Sequence, residues 1–268
     1  MLPNFLIIGA PRAGTTWIQK NLIQHPDVYM PAKKEIHFFD RFYEEGIGYY
    51  EQFFDGVTGQ TAIGEATPAY LHREPVVQRI YEHLGPIKMI VTLRNPVDRL
   101  YSRYWNSRGK FIENKGLSFE QKIMAKPEFI EEGFYAQHLS RYYEVFPREN
   151  ILVMLFDDIR KDSAGFLKQI FEFIGVDPEY DTSLADQRVN TSDSKKLLVK
   201  SKPLYYLSKA SRKLYLGSLA TKLEDMNRAT LPPMTKETRK WLIDNYYRDK
   251  NEALGNLLDL DLSAWNKA

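Results

Sequence analysis

A short apolar strand followed by a glycine loop and a helix is the feature that most constrains the fold of this 268-residue chain. Phe5 to Ile8 is fully apolar, and the next eight residues, Gly9 to Thr16, read GAPRAGTT. Gly9 and Gly14 have the spacing of a phosphate-binding loop, and Thr16 stands where that loop carries its Ser or Thr. A strand, such a loop and a helix predict a layered α/β fold with an anion site at the start of the helix.

The loop lacks the lysine of nucleotide-hydrolysing enzymes. Thr15 occupies the position of that lysine, and the basic residue of the loop is Arg12. In NTPases the lysine bridges the β- and γ-phosphates while the Ser or Thr holds Mg²⁺. A sulfuryl group carries less charge than a phosphoryl group, so hydrogen bonds and one cation are enough for its transfer. The loop is therefore compatible with transfer of a sulfuryl group without a metal, with Arg12 as the cation, and a turn that merely packs the helix on the sheet is the alternative.

Later apolar runs alternate with helical patterns. We expect strands at Thr61–Glu65, Lys88–Leu93 and Ile151–Phe156. Helical patterns occupy Gly14–Gln24, Pro75–Leu84, a stretch from Pro96, Ser118–Glu131, Gly133–Phe146 and Ser163–Ile174. This alternation predicts a central parallel sheet flanked by helices. Beyond about Asp181 the apolar runs end, and the last helix is predicted over Thr235–Leu258. We expect a single domain over 1–268, with a helical part over about 195–268.

The composition excludes several classes of protein. Hydrophobic residues make up 43% and charged residues 27%, a globular balance, and a net charge of +2 gives no reason to expect a nucleic-acid partner. The absence of cysteine excludes disulfides and thiolate metal sites, and no metal is predicted. We expect no integral membrane segment, no signal peptide and a cytoplasmic location. No feature of the sequence indicates an oligomeric state.

A second segment, TLRNPVDRLYSRYW from Thr92 to Trp105, predicts another anion contact. Arg94 ends a predicted strand, and Ser102 lies eight residues later in the next helix. Because ligands bind at the carboxyl ends of parallel strands, this loop and the first can converge on one ligand. The planar fork of arginine suits a phosphate. An ion pair between Arg94 and Asp98 is the alternative.

Together, the two segments resemble the PAPS-dependent sulfotransferases, where PAPS is 3′-phosphoadenosine 5′-phosphosulfate. The family's P-K-x-G-T-T-W motif, which binds the 5′-phosphosulfate, is similar to Pro11–Trp17, with Arg12 in place of the usual lysine. The resemblance implies a P-loop-NTPase-like sulfotransferase fold, PAPS as donor and adenosine 3′,5′-bisphosphate (PAP) as product. It implies that Arg94 and Ser102 hold the 3′-phosphate. The implied contacts to the 5′-phosphosulfate are Arg12, Ala13, Gly14, Thr15, Thr16 and Trp17.

A third segment, KKEIHFFDRFYEEG from Lys33 to Gly46, is similar to the part of heparan sulfate 3-O-sulfotransferases that carries the catalytic glutamate. The resemblance implies that Glu35 is the general base for the acceptor hydroxyl and that His37 supports it or contacts the acceptor. His37 as the base is a second interpretation. A surface pair of lysine and glutamate beside core phenylalanines is a third.

The segment GEATPAYL, Gly64 to Leu71, resembles the family's lining of the acceptor cleft. Glu65 is the candidate carboxylate for acceptor binding. In the glycan enzymes a lysine usually follows this glutamate, whereas this chain has Ala66, which argues against a glycan acceptor. Tyr135 is a further candidate nucleotide contact.

Two later stretches are also candidates for binding. The loop DQRVNTSDSKK, 186–196, lies where such enzymes close over the nucleotide, so Arg188 and Lys195 are candidate contacts, with a solvated loop as the alternative. The basic, tyrosine-rich stretch KSKPLYYLSKASRKLYLG, 200–217, is amphipathic. It could meet a membrane surface, an acceptor or another subunit, and a surface helix with buried tyrosines is the default expectation.

The resemblance therefore predicts a PAPS-dependent sulfotransferase that acts on an acceptor hydroxyl of a carbohydrate or a small molecule. One alternative is a Mg²⁺-dependent kinase or NTPase with a degenerate phosphate loop. The other is an inactive nucleotide-binding or interaction module built on the same fold.

Overall fold

A five-stranded parallel sheet forms the centre of the molecule, in a computed structural model that describes residues 1–107, 116–182, 198–229 and 232–268. Its strands lie in the order β2-β3-β1-β4-β5, with the glycine-loop strand in the middle. Their bounds are β1 Phe5–Gly9, β2 Val28–Tyr29, β3 Ala62–Ala66, β4 Lys88–Leu93 and β5 Ile151–Leu155. The predicted central parallel sheet is confirmed.

Helices cover both faces of the sheet and form the C-terminal part. Those of the first 182 residues are α1 Thr15–Leu22, α2 Phe38–Arg41, α3 Ile47–Glu51, α4 Glu74–Leu84, α5 Pro96–Ser107, α6 Phe119–Ala125, α7 Glu128–Glu131, α8 Tyr135–Tyr143, α9 Asp158–Lys161 and α10 Ser163–Ile174. The later elements are β6 Leu198–Val199, α11 Lys202–Lys213, α12 Gly217–Met226, β7 Arg228–Ala229, α13 Lys236–Leu242 and α14 Arg248–Leu258. Strands β6 and β7 pair antiparallel. Across the described ranges, no helix has the length and apolar character needed to cross a bilayer.

The central strand is buried on both faces, which fixes the position of the loop that follows it. Leu6 and Ile8 pack into one apolar cluster and Phe5 and Ile7 into the other, because successive side chains of a strand point to opposite faces. All four are at most 1% exposed. Burying each such side chain contributes about 1.5–3 kcal/mol, so the end of β1 is a rigid base for the glycine loop.

Two predicted helices are wrong in their continuity. The pattern over Ser118–Glu131 is two helices, because Pro127 lacks the N–H that a helix interior needs, and α7 begins only after it. The predicted helix over Thr235–Leu258 is interrupted by a π-helical turn at Ile243–Tyr247. The edge strand β2 was not predicted, since two residues carry no readable periodicity.

Candidate functional site

A cavity of about 290 Å³ lies at the carboxyl edge of the sheet. Four parts of the chain line it: the loop after β1, the segment after β2, the 3₁₀ helix Pro68–His72 with the residue after it, and α5. The lining residues are Pro11, Arg12, Gly14, Thr15, Thr16, Lys34, Glu35, His37, Arg41, Pro68, Ala69, His72, Arg73, Arg103 and Asn106. Four separate parts of the chain thus meet at this edge, whereas the predicted contacts Arg94 and Ser102 are not among the residues that line the cavity.

The glycine loop ends at an open helix N-terminus. Gly14 precedes α1 with φ +92°, and a Cβ at this position would stand 2.9 Å from the ring of Phe156, so no larger residue fits there without rearrangement. Among the described residues, no side chain accepts a hydrogen bond from the N-terminal turn of α1 as a cap. The first turn therefore presents its backbone N–H groups, with the hydroxyl residues Thr15 and Thr16, to the cavity, an arrangement that suits an anion.

The two predicted arginines and the predicted serine come together beside this loop. The Nε of Arg12 donates a hydrogen bond of 3.0 Å to the Oγ of Ser102. The Nη1 of Arg94 donates to the backbone oxygen of Arg12 at 3.3 Å, and its guanidinium lies 4.9 Å from the ring centre of Phe156. Asp98, the alternative partner of Arg94, instead forms an ion pair with Arg239 of α13. The first two motifs thus form one cluster.

Three predicted nucleotide contacts lie behind the cavity. Trp17 is 6% exposed and packs edge-on against Phe166, with ring centres 6.1 Å apart. Ala13 is fully buried. The hydroxyl of Tyr135 donates to the backbone oxygen of Arg94 at 2.9 Å, and burial raises the pKa of that hydroxyl to about 12. In this structure all three support the loops from the core side, and Tyr135 fixes the backbone that carries Arg94.

The segment that carries Glu35 and His37 adopts unusual backbone conformations. Glu35 and His37 have φ of 56° and 59°, and Arg12 across the cavity has φ of 72°. Left-handed conformations at residues other than glycine are unfavourable and concentrate at functional sites. The backbone N–H of Glu35 donates to the carbonyl of Ala66 at 3.2 Å, which ties the segment to the end of β3.

A carboxylate, an imidazole and a second carboxylate form a chain at the cavity wall. The Nε2 of His37 is 3.5 Å from an Oε2 of Glu35, and its Nδ1 is 3.0 Å from an Oδ1 of Asp40. The hydrogen bond to Asp40, followed by that to Glu35, raises the pKa of His37 to about 9. The hydrogen bond from His37, with the charge of Lys34, lowers the pKa of Glu35 to about 2.

These pKa values assign different abilities to the two predicted bases. At neutral pH, His37 is an imidazolium whose two ring nitrogens both face carboxylates, so in this arrangement it has no nitrogen that can accept a proton. Glu35 is ionised, and 42% of its side chain is exposed. Of the two, Glu35 is thus an ionised carboxylate that lines the cavity, and His37 is a protonated imidazole held between Glu35 and Asp40.

Lys34 is the principal site residue that the sequence analysis missed. Its Nζ hydrogen-bonds the Oγ1 of Thr16 and lies 3.4 Å from an Oε1 of Glu35. It therefore links the anion-binding loop directly to the carboxylate. Two features of the sequence pointed to Lys34. It directly precedes Glu35 in the run KKEIHFF, and the position where related glycan enzymes usually carry a lysine is occupied by the buried Ala66.

Glu65 was predicted to contact an acceptor, and the structure places it elsewhere. It is 1% exposed, it accepts hydrogen bonds from Tyr50 at 3.3 Å and from the Oγ1 of Thr67 at 2.7 Å, and it is not among the lining residues. Burial raises its pKa to about 7. Thr67 in turn accepts a long hydrogen bond of 3.4 Å from the backbone N–H of His37. Glu65 thus lies beneath the segment that carries His37 and is joined to it through Thr67.

The cavity carries an excess of positive charge. Among its described lining residues, five are Lys or Arg and one, Glu35, is acidic. His72 adds no charge near neutral pH, because burial and the neighbouring cations lower its pKa to about 2. A pocket lined mainly by one sign of charge concentrates ligands of the opposite sign. The cavity is therefore built for anions.

Two predicted contacts, Arg188 and Lys195, lie outside the described residues. A larger concavity of about 570 Å³ beside α14 is lined by residues between Asn251 and Asn266 and contains none of the predicted site residues.

Comparison with known proteins identifies relatives along the chain. A family profile described as the sulfotransferase domain matches residues 2–205. The human bifunctional heparan sulfate N-deacetylase/N-sulfotransferase 3 is 30% identical over 283 aligned positions, which cover 96% of this chain and 30% of that protein. The human heparan sulfate glucosamine 3-O-sulfotransferase 6 is 30% identical over 180 positions, 65% of this chain and 52% of that protein. The chain thus spans about a third to a half of the length of these relatives.

A solved structure matches over the full length. The crystal structure of a sulfotransferase from Alicyclobacillus acidocaldarius superposes with a TM-score of 0.72 at 27% identity and covers 100% of both chains. The predicted resemblance and the predicted fold are both confirmed by these matches.

Proposed function

The chain belongs to the sulfotransferase domain family, and from this premise we propose that it transfers a sulfuryl group from PAPS to an acceptor hydroxyl. One observation carries the proposal. The contact between Lys34 and Thr16 places the general-base segment directly against the anion-binding loop, although the two are separate in sequence. A donor phosphosulfate held by the loop would therefore meet the carboxylate of Glu35 within the same cavity.

The residues of the cluster fit the donor. The open N-terminus of α1 with Thr15 and Thr16 suits the 5′-phosphosulfate, and Arg12 supplies the cation inside the loop. Arg94 and Ser102 suit the 3′-phosphate, since both contact Arg12 at the same edge of the sheet. When bound, PAPS supplies a sulfuryl group joined through oxygen to its 5′-phosphate, and this S–O bond is the one to be broken.

In the transfer step, Glu35 takes the proton of the acceptor hydroxyl. The acceptor oxygen then forms a bond to sulfur, the bond from sulfur to the 5′-phosphate oxygen breaks, and the bisphosphate product departs with the electron pair. Arg12, whose guanidinium is already held by Ser102, balances the charge that develops on that phosphate, and Lys34 adds a second positive charge once it contacts the donor. His37, held by Asp40, keeps Glu35 oriented toward the acceptor.

The charge of Lys34 adds to the larger effect of the hydrogen bond from His37 on the pKa of Glu35, and the part due to Lys34 can change when the donor binds. In the ligand-free arrangement Lys34 contributes to that low pKa. If Lys34 turns from Glu35 to the donor oxygens, the carboxylate loses a neighbouring positive charge and its pKa rises. Donor binding would thus activate the base. After this movement Lys34 would also lie near the sulfuryl group, where the lysine absent at position 66 would otherwise act.

We propose a carbohydrate hydroxyl as the acceptor. The Lys33–Gly46 segment supports this through its resemblance to the 3-O-sulfotransferases, and the names of both quoted relatives refer to heparan sulfate. The basic side chains of Arg41, Arg73 and Arg103 in the cavity wall suit an acceptor that carries carboxylate or sulfate groups. A cytoplasmic location and the absence of a nucleic-acid partner remain predictions.

Thermal unfolding with three nucleotides tests the donor site first. PAP without metal is compared with ATP in the presence and absence of Mg²⁺. A ligand at about 100 times its dissociation constant adds about 2.7 kcal/mol to the free energy of unfolding. Stabilisation by PAP without metal supports the proposal, and stabilisation by Mg·ATP alone would make the chain a kinase or NTPase. Release of PAP from PAPS with a panel of glycans and small alcohols then identifies the acceptor, and no turnover with any of them would favour an inactive binding module.

A further inference from the structure

The helical hairpin formed by α11, a tight turn and α12, residues 202–226, has an inverted distribution of side chains. Three of its buried residues are small, Ser208, Ser211 and Ala220, and Leu223 is the large apolar residue buried with them. Large apolar side chains face outward instead: Tyr206, Leu214, Tyr215, Leu216, Leu219 and Met226 are each 45–97% exposed. The expectation of a surface helix with buried tyrosines is therefore wrong for Tyr206 and Tyr215. Exposed apolar groups in such a cluster mark a binding surface.

The most exposed of these residues form the tip of the hairpin. Tyr215 has φ of 59° and is 97% exposed, and its neighbours Leu214 and Leu216 are 69% and 51% exposed. The N–H of Leu216 donates to the carbonyl of Ser211 at 2.9 Å, which closes the turn and holds the three side chains outward. The tip is thus an ordered apolar point on the surface.

The hairpin as a whole carries net positive charge. The hairpin contains five Lys or Arg residues and two acidic residues, a net charge of +3, whereas the whole chain carries +2. Arg212 forms an ion pair of 2.7 Å with Glu224, which joins the two helices. The exposed side chains of Lys213, beside the tip, and Lys222, on α12, add to the basic surface.

We propose that this hairpin binds an anionic lipid bilayer, with the tip Leu214–Leu216 inserted at the interface. Apolar side chains and a tyrosine enter the boundary between headgroups and acyl chains, while lysines behind them meet anionic headgroups. A second copy of the chain suits the surface less well, because it would oppose +3 to +3. A free anionic glycan would satisfy the lysines and leave the apolar tip in water. The proposal stands independently of the sulfotransfer reaction.

Co-sedimentation with vesicles tests the proposal on the full chain. Vesicles of phosphatidylcholine with phosphatidylserine are compared with vesicles of phosphatidylcholine alone, at low and high salt. We expect binding to the anionic vesicles that weakens as salt rises. The triple variant Leu214→Ser, Tyr215→Ser, Leu216→Ser should lower the partition coefficient by about tenfold or more. The double variant Lys213→Gln, Lys222→Gln should lower it by about fivefold for each lysine.

Controls separate lipid binding from misfolding and from self-association. Met124→Ser removes an equally exposed apolar side chain of α6 and should leave vesicle binding unchanged. Tyr215→Trp should retain binding, and its added fluorescence should move to shorter wavelength with anionic vesicles. Each variant should keep the circular dichroism spectrum of the wild type. The proposal is overturned if the wild type ignores anionic vesicles, if the triple variant binds them equally well, or if light scattering shows a dimer that the triple variant abolishes.

Discussion

The guanidinium of Arg12 donates a 3.0 Å hydrogen bond to the hydroxyl of Ser102, and this contact joins the glycine loop to α5. Arg94 also contacts Arg12, because its guanidinium donates a hydrogen bond to the backbone carbonyl of Arg12. Arg12 is thus held at its guanidinium by Ser102 and at its backbone by Arg94. Electrostatic catalysis depends on such prior placement, because no energy is then spent on reorganisation during the reaction.

Arg12→Ala should lower kcat by about 10²–10³, as the loss of a preorganised transition-state donor does. Arg12→Lys restores the charge without the planar fork that bonds Ser102, so its kcat should fall between those of the wild type and the alanine variant. The measurement is the rate of PAP release from PAPS at saturating acceptor. Equal rates for Arg12→Ala and the wild type would remove Arg12 from the transition state.

Arg94→Ala should weaken PAP binding by about tenfold to hundredfold, the effect expected for one hydrogen bond to a charged group. Isothermal titration calorimetry without metal measures it. Tyr135→Phe removes the hydroxyl that holds the backbone of Arg94 and should have a smaller effect of the same sign. An unchanged dissociation constant in Arg94→Ala would place the 3′-phosphate elsewhere.

Glu35→Gln should lower kcat by about 10²–10⁴, because a glutamine side chain cannot accept the proton of the acceptor. PAP affinity should not fall, since Glu35 is proposed to act on the acceptor and its neutralisation leaves Lys34 free for the donor. Glu45→Gln, an exposed glutamate in the same segment, is the matched control and should retain full activity. Full turnover by Glu35→Gln would transfer the role of base to another group.

Lys34→Met should lower kcat by about 10²–10³ and raise the pKa of Glu35, because it removes a positive charge 3.4 Å from that carboxylate. Because Lys34 is proposed to leave Glu35 when the donor binds, the shift should appear in the free enzyme, as an acidic limb of the kcat/KM profile for PAPS that moves to higher pH. Lys33→Met is the matched control, since Lys33 lies 4.7 Å from the ring centre of Phe53 and is not a lining residue. A profile that does not move would separate Lys34 from Glu35.

His37 should make the stability of the fold depend on alkaline pH. Its pKa is about 9 in the folded protein and 6.5 in the unfolded chain, so its stabilisation is complete below pH 6.5 and is lost as pH rises through 9. Urea unfolding from about pH 6 to about pH 9.5 should show this decline in the wild type. In His37→Gln the decline should be smaller, and equal declines in the two proteins would contradict the charged state of His37 described above.

The fold and the anion-binding cluster could be predicted from the sequence because both depend on local patterns. Lys88–Leu93 is a strand with the predicted bounds, and the spacing of Gly9 and Gly14 defined the loop. Arg94 and Ser102 were assigned together because a strand end and the next helix have a fixed relation. Such features need only a few neighbouring residues to be recognised.

The burial of single residues and the contacts between distant parts of the chain could not be predicted from local sequence patterns. From the sequence, Glu65 was expected to lie in the acceptor cleft. In the structure it is buried, and hydrogen bonds from the hydroxyls of Tyr50 and Thr67 offset the loss of hydration. The role of Lys34 depends on a contact with Thr16, eighteen positions earlier in the chain. The outward tyrosines of the hairpin also departed from expectation, because the amphipathic pattern of 200–217 does not show which of its residues, such as Ser208, are buried in the hairpin.

Helix α5 contributes to two different parts of the site. Ser102 contacts the cation of the glycine loop, while Arg103 and Asn106 of the same helix line the cavity. The buried ion pair between Arg99 and Glu132, 2.7 Å long, anchors the helix to the body. If the bound nucleotide displaced α5, the residues of this helix that contact the acceptor would also move, and the converse would hold for the acceptor. The two binding free energies are then coupled, and by reciprocity any change that the nucleotide makes in acceptor affinity equals the change that the acceptor makes in nucleotide affinity.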